Sequence, residues 1–159
     1  MRKHLSQRQG MKPTILALDL EGTLISNAIS QIPRPGLCRF LEDVRTRFDR
    51  LMIFTTVPEE RFRTIATLLA RDGSAPDWFA SLQYINWSGK TKDLRLISPH
   101  LGQALLLDDY GPYVHPGQEH LWVKIPLFGS PYPAEDDGLS LAMERLLGCL
   151  NDGDELSIT

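Results

Sequence analysis

Only two of the 159 residues are cysteine, Cys38 and Cys149, and neither has a metal-ligating partner at close spacing. Both fall in helical patterns among apolar neighbours, which predicts buried free thiols of a reducing compartment and so the cytoplasm. No apolar stretch approaches the ~20 residues of a membrane-spanning helix, and the N-terminus lacks the apolar core of a signal peptide. Neither sign of charge dominates. Lys and Arg number 17 and Asp and Glu 20, for a net charge of −3, so there is no global pull toward nucleic acid or an anionic membrane. The sequence holds no zinc-ligand spacing, no helix-turn-helix, no internal repeat and no low-complexity segment. Ser88-Gly89-Lys90-Thr91 contains Gly-Lys-Thr but lacks the upstream glycine of a phosphate-binding P-loop.

What is present is the composition of one globular domain, 42% hydrophobic and 23% charged. The domain is expected over residues 13–150. Residues 1–12, basic through Arg2, Lys3, Arg8 and Lys12, read as a loose solvated terminus, and 151–159 as a frayed acidic tail. Short apolar runs at 14–20, 51–54, 83–87, 104–107 and 121–125 read as strands. Helices are expected over 35–48, 58–72 and 136–150, with inward faces such as Leu37, Phe40, Leu41 and Val44 in the first. Shorter helical turns are expected over 76–82 and 93–97. Strands alternate with helices, which argues an α/β fold: a Rossmann-like three-layer αβα sandwich around a mostly parallel sheet of about five strands.

The chain is organised around Ile15-Leu16-Ala17-Leu18-Asp19-Leu20-Glu21-Gly22-Thr23. The apolar run ends in Asp19, at the strand edge where open α/β sheets bind ligands. Glu21 lies two residues on, and in extended chain its side chain would point the same way. Two carboxylates brought together call for a cation or a proton. Magnesium suits such hard oxygen ligands and leaves room for phosphate. Three further segments carry groups suited to the same edge. Thr55 follows the second run and could give its hydroxyl to a phosphoryl oxygen, with Thr56 and the next helix start offering backbone N–H groups. The same Thr55 could instead be a satisfied strand-end hydroxyl. Lys90 or Lys92 could supply positive charge. Asp108 and Asp109 end the fourth run, and adjacent carboxylates there favour a metal.

Asp19-Leu20-Glu21-Gly22-Thr23 resembles the first motif of the haloacid dehalogenase (HAD) superfamily, Asp-x-Asp-x-Thr. Glu21 stands in place of the second Asp, as it does in the enolase-phosphatases of that superfamily. Asp19, Thr55, Lys92 and Asp108 match the superfamily pattern in order. Arg34-Pro35-Gly36, Phe54-Thr55-Thr56, Lys92-Asp93-Leu94 and Leu107-Asp108-Asp109 look like segments of its NLI-interacting-factor-like branch, as does Tyr113-Val114-His115-Pro116. That branch includes small phosphatases of the RNA polymerase II C-terminal domain. The resemblance covers about residues 14–148 and favours Lys92 over Lys90. Gly22 departs from it, since that branch has Glu there.

The resemblance implies phosphomonoester hydrolysis through an aspartyl-phosphate on Asp19, with Glu21 as general acid and base. It implies magnesium held by Asp19, the Glu21 backbone carbonyl, Asp108 and Asp109, and phosphate held by Thr55, Thr56 and Lys92. About ten residues separate Thr23 from Pro35, too few for a cap domain. Capless relatives have open sites and tend to act on macromolecules, which brings in a phosphoprotein substrate, or borrow a lid from a second subunit. Two alternatives stay open: a catalytically weak domain that binds a phosphorylated partner, and a small-metabolite phosphatase lidded by oligomerisation. Trp78, Trp87 and Tyr110 could dock a partner, although tryptophans more often pack in the core or its rim.

Overall fold

The structure is a computed structural model that describes residues 12–158, with side chains described for 12–151. Five strands form one sheet: β1 (Ile15–Leu18), β2 (Arg50–Ile53), β3 (Gln83–Tyr84), β4 (Ala104–Asp108) and β5 (Trp122–Lys124). Their spatial order is β3-β2-β1-β4-β5, and every pair is parallel. Among the described residues, three α-helices accompany them: α1 (Leu37–Arg47), α2 (Glu59–Arg71) and α3 (Gly138–Ile158). The expected α/β architecture is therefore the one found.

The reason lies in the apolar runs. β1 is buried along its whole length, as a central strand covered on both faces must be. The expected inward stripes of α1 and α2 are the ones buried: Leu37, Phe40, Leu41 and Val44 in the first, Phe62, Ile65, Ala66 and Leu69 in the second. α1 packs against α3, while α2 packs against a 3₁₀ turn over Asp77–Ser81. Trp78 and Trp87 lie partly buried against the core.

Register then places the site. Leu18 pairs with Ile53 on one side and Leu107 on the other, so β1, β2 and β4 end level with one another. The chain runs outward from β1 to β2 and β3, then returns to β4 on the other side of β1. Strand order thus reverses at β1, and the crevice outside its carboxyl end is where such sheets bind ligands.

Three expectations differ from the structure. The third strand pairs only over Gln83 and Tyr84, because beyond Ile85 the chain turns to bring the Trp87 indole onto the Thr55 carbonyl at 2.8 Å. The last helix continues past Leu150 to Ile158, where the tail was expected to fray. Cys38 and Cys149 form no disulfide, but both are only half-buried, since they border their helices' apolar stripes. The loose terminus expected over 1–12 falls, except for Lys12, outside the described residues. Among the described residues, no helix is long and apolar enough to cross a membrane.

Candidate active site

The ends of three adjacent strands each contribute one group. Asp19 follows β1, Thr55 lies two residues beyond β2, and Asp108 closes β4. Asp19, Asp108 and Thr55 are all buried. The backbone ladder continues past β1, with the Asp19 N–H on the Leu107 carbonyl at 3.0 Å, which fixes Asp19 beside β4.

Lys92 joins the two carboxylates. It is fully buried, and its Nζ donates to Asp19 Oδ1 at 2.9 Å and to Asp108 Oδ2 at 2.6 Å. The Tyr113 ring lies 4.8 Å from the same Nζ. Burial alone would lower the lysine's pKa, but the two carboxylates outweigh it and raise it, so the ammonium stays charged. Lys90, the other candidate, is exposed on the turn.

Thr23 makes the second junction. Its hydroxyl lies 2.8 Å from Asp19 Oδ2 and 3.0 Å from Asp109 Oδ1. Carboxylate oxygens of Asp19, Asp108 and Asp109 all lie within 4.8 Å of one another. Three acids so close resist ionising together. Burial and then the Asp19 charge push Asp108 up to about 7, against the pull of Lys92. Burial, a hydrogen bond with Asp19 and its charge push Asp109 up to about 6. This hard, oxygen-only donor set is of the kind that could hold a divalent cation such as magnesium.

Thr55 Oγ1 accepts the Val57 N–H at 3.1 Å, which leaves the hydroxyl proton free to be donated. Thr56 is exposed and lines, with Thr55, Pro58, Tyr84 and Trp87, a polar groove of about 340 Å³ beside the β2 end.

Glu21 is placed differently from the expectation. Its Oε2 accepts the Ala28 N–H at 2.7 Å, and its carboxylate is not part of the acidic group. The cause is local. The chain stops being extended after β1 and folds into a turn, with the Leu24 and Ile25 N–H groups on the Leu20 carbonyl and Gly22 at a φ of 77°. The two-residue alternation that would align Glu21 with Asp19 therefore does not apply.

Some residues of the site were not assigned from sequence. Thr23 was legible as the last position of the Asp-x-Asp-x-Thr pattern. Gln118, whose amide ties the Lys92 turn to the 111–121 segment, had no signal, being a lone polar residue in a loop.

A family model described as NLI interacting factor-like phosphatase matches residues 14–155. Among solved structures, the chain resembles an arginine-to-alanine variant of the fission yeast RNA polymerase II CTD phosphatase Fcp1 bound to beryllium fluoride. The TM-score is 0.51 at 15% identity over 98% of this chain and 56% of that one. A second structure, of Fcp1 described as an essential RNA polymerase II CTD phosphatase, gives a TM-score of 0.53 at 15% identity, covering 96% of this chain and 54% of that one. The chain thus spans just over half the length of the structures it matches, and at this identity they bear on the fold, which is HAD-like. With that fold, and with the family's model matched from the first strand into the last helix, the chain belongs to the NLI interacting factor-like phosphatase family.

Proposed function

We propose that this chain is a magnesium-dependent phosphomonoester hydrolase that works through an aspartyl-phosphate on Asp19. One observation carries the reading. A buried aspartate at the central strand's carboxyl end is bonded to a buried lysine, and two further carboxylates lie within 4.8 Å.

Asp19, the Glu21 backbone carbonyl, Asp108 and Asp109 are the groups that would hold magnesium, and Asp19, Asp108 and Asp109 fit it by chemistry and closeness. When bound, the ion supplies positive charge that offsets repulsion between the nucleophile and the phosphate dianion. An Asp19 carboxylate oxygen attacks phosphorus, and the bond from phosphorus to the leaving oxygen breaks. Lys92 and the Thr55 hydroxyl, with the Thr56 amide, stabilise the phosphoryl oxygens on which charge gathers. Glu21 gives its proton to the leaving oxygen, then takes one from the water that hydrolyses the aspartyl-phosphate. To do so it must release the Ala28 N–H and rotate toward Asp19.

The open, capless edge favours a large substrate. The solved relatives are phosphatases of the RNA polymerase II CTD, which makes phosphoserine peptides the first substrates to try. Cytoplasmic location belongs to the same proposal, supported by Cys38 and Cys149 forming no disulfide. The position of Glu21 favours one second reading, a weakly active domain that binds a phosphorylated partner.

Hydrolysis of phosphopeptides, nucleic-acid ends and sugar phosphates with magnesium tests the proposal, together with trapping of beryllofluoride on Asp19. Turnover with trapping supports the enzyme. Phosphopeptide binding with neither supports the second reading.

A further inference from the structure

The Gly22–Thr23 turn carries the hydroxyl that touches both Asp19 and Asp109, and a buried arginine grips it. Arg34 is 1% exposed. Its Nη1 donates to the carbonyls of Gly22 at 3.3 Å and Thr23 at 3.2 Å. Its other nitrogens go to Asp136, Nε to Oδ2 at 2.7 Å and Nη2 to Oδ1 at 3.2 Å. Asp136 Oδ2 also accepts the Gly138 N–H at 3.1 Å, which ties the pair to the start of α3. The guanidinium lies 5.4 Å from the centre of the Phe128 ring, and the Phe128 N–H donates to the Gly22 carbonyl at 2.8 Å. Gly138 makes the room: a Cβ there would stand 1.8 Å from Arg34 Nη2.

A buried charge costs stability unless it is paired, and apolar side chains of similar volume often pack there at least as well. A planar fork with several fixed donors does what they cannot. It holds two carbonyls on one edge while a carboxylate grips the other in two places. The device points one way, toward the turn whose hydroxyl lies 2.8 Å from Asp19 and 3.0 Å from Asp109.

We infer that Asp136 is a positioning residue. Acting through Arg34, it holds the Gly22–Thr23 turn so that the Thr23 hydroxyl sets Asp19 and Asp109 at the spacing a divalent cation takes. This rests on the magnesium-dependent reading above. Asp136 lies outside the Asp19, Asp108 and Asp109 group, and it is 102 residues from Arg34 in sequence.

The test uses the full chain and two variants. Asp136→Asn keeps the shape and removes the charge. Gly138→Ala pushes a methyl group into the guanidinium. Magnesium affinity is measured by titration calorimetry without substrate, then kcat and KM on p-nitrophenyl phosphate, with circular dichroism and Tm alongside. Both variants are expected to weaken magnesium binding by roughly 10–100-fold, the usual cost of losing a group that orients a metal's ligands. kcat should fall with it at saturating substrate and fixed magnesium, with KM little changed. Excess magnesium should restore part of the rate. A lower Tm with unchanged magnesium affinity would mean that the pair only stabilises the fold, and would overturn the inference. Should Asp136→Asn fail to fold, Asp136→Glu, which keeps the charge and changes its reach, is judged on the same readouts. A wild type that neither binds magnesium nor turns over phosphate overturns the enzymatic reading and this inference together. A functional wild type with unaltered variants overturns this inference alone.

Discussion

Asp19 is held by two donors before any substrate arrives, Lys92 at 2.9 Å and the Thr23 hydroxyl at 2.8 Å. Asp19→Asn keeps the size of the side chain, so the fold should survive while turnover disappears. A variant with near wild-type rate would rule out the covalent mechanism. Gly22 shows how this chain departs from its branch. Its φ is 77°, and a Cβ would stand 2.7 Å from Leu127 Cδ1 and 2.8 Å from Asp109 Oδ2. Leu127 and Asp109 together occupy the space that a side chain at 22 would need. Gly22→Ala should cost about 1 kcal/mol or more in urea unfolding, because of the left-handed backbone. It should also lower kcat by displacing Asp109. Adding Leu127→Ala should recover part of kcat, and a double variant no better than the single would separate the two residues. Asp19, Thr55, Lys92, Asp108 and Asp109 were legible because each is a polar group at or near the end of an apolar run or inside a recognisable motif. The grip of Asp136 on Arg34 was not, since neither residue's local pattern refers to the other.

The Lys92 turn is held as a unit. Its backbone N–H donates to the Tyr113 carbonyl at 2.7 Å. The buried Gln118 binds both sides of the adjoining residues, accepting the Leu94 N–H at 2.9 Å and donating to Asp93 Oδ1 at 2.8 Å. Asp93 also accepts from Arg95, and that bond holds its carboxyl well below the usual range. Gln118→Ala would leave the buried Leu94 N–H without a partner, which costs about 1–3 kcal/mol. Because the turn aims Lys92, kcat should fall as well, while magnesium affinity, set by the carboxylates, should change little. Loss of stability with kcat intact would show that Lys92 holds its place without this clamp. At this level β1, β2 and β4 were plain in the sequence, since buried central strands are continuous apolar runs. β3 is shorter than its sequence implies because Ile85, Asn86 and Trp87 continue a strand-like composition after the chain has left the sheet. α3 is longer than its sequence implies: Asn151, Asp152 and Gly153 have low helix propensity, yet its backbone runs on to Ile158.

For the whole molecule, the acidic site should make stability depend on pH and on magnesium together. Asp108 and Asp109 are pushed up to about 7 and about 6, chiefly by burial and by Asp19. In the unfolded chain such carboxyls titrate near 3.9. Between roughly pH 4 and 7 the folded metal-free protein therefore binds more protons than the unfolded chain, and stability falls as pH rises through that window. Lys92 does not offset this trend. Its raised pKa adds a contribution that is constant at every pH well below its ordinary value, near 10.4. Magnesium reverses the balance, because it binds the ionised carboxylates and must displace protons to do so at low pH. The contribution of these groups to the metal-free Tm should accordingly be lower at pH 8 than at pH 5, and the rise in Tm on adding saturating magnesium should be larger at pH 8. The magnesium increment is the cleaner measure, since titrations elsewhere in the chain cancel between the two scans at each pH. In Asp108→Asn the difference between the increments at the two pH values should shrink, because one of the two competing protons is gone. Equal increments at pH 5 and pH 8 in the wild type would mean that Asp108 and Asp109 do not hold the ion, and that Asp108 serves to pair Lys92.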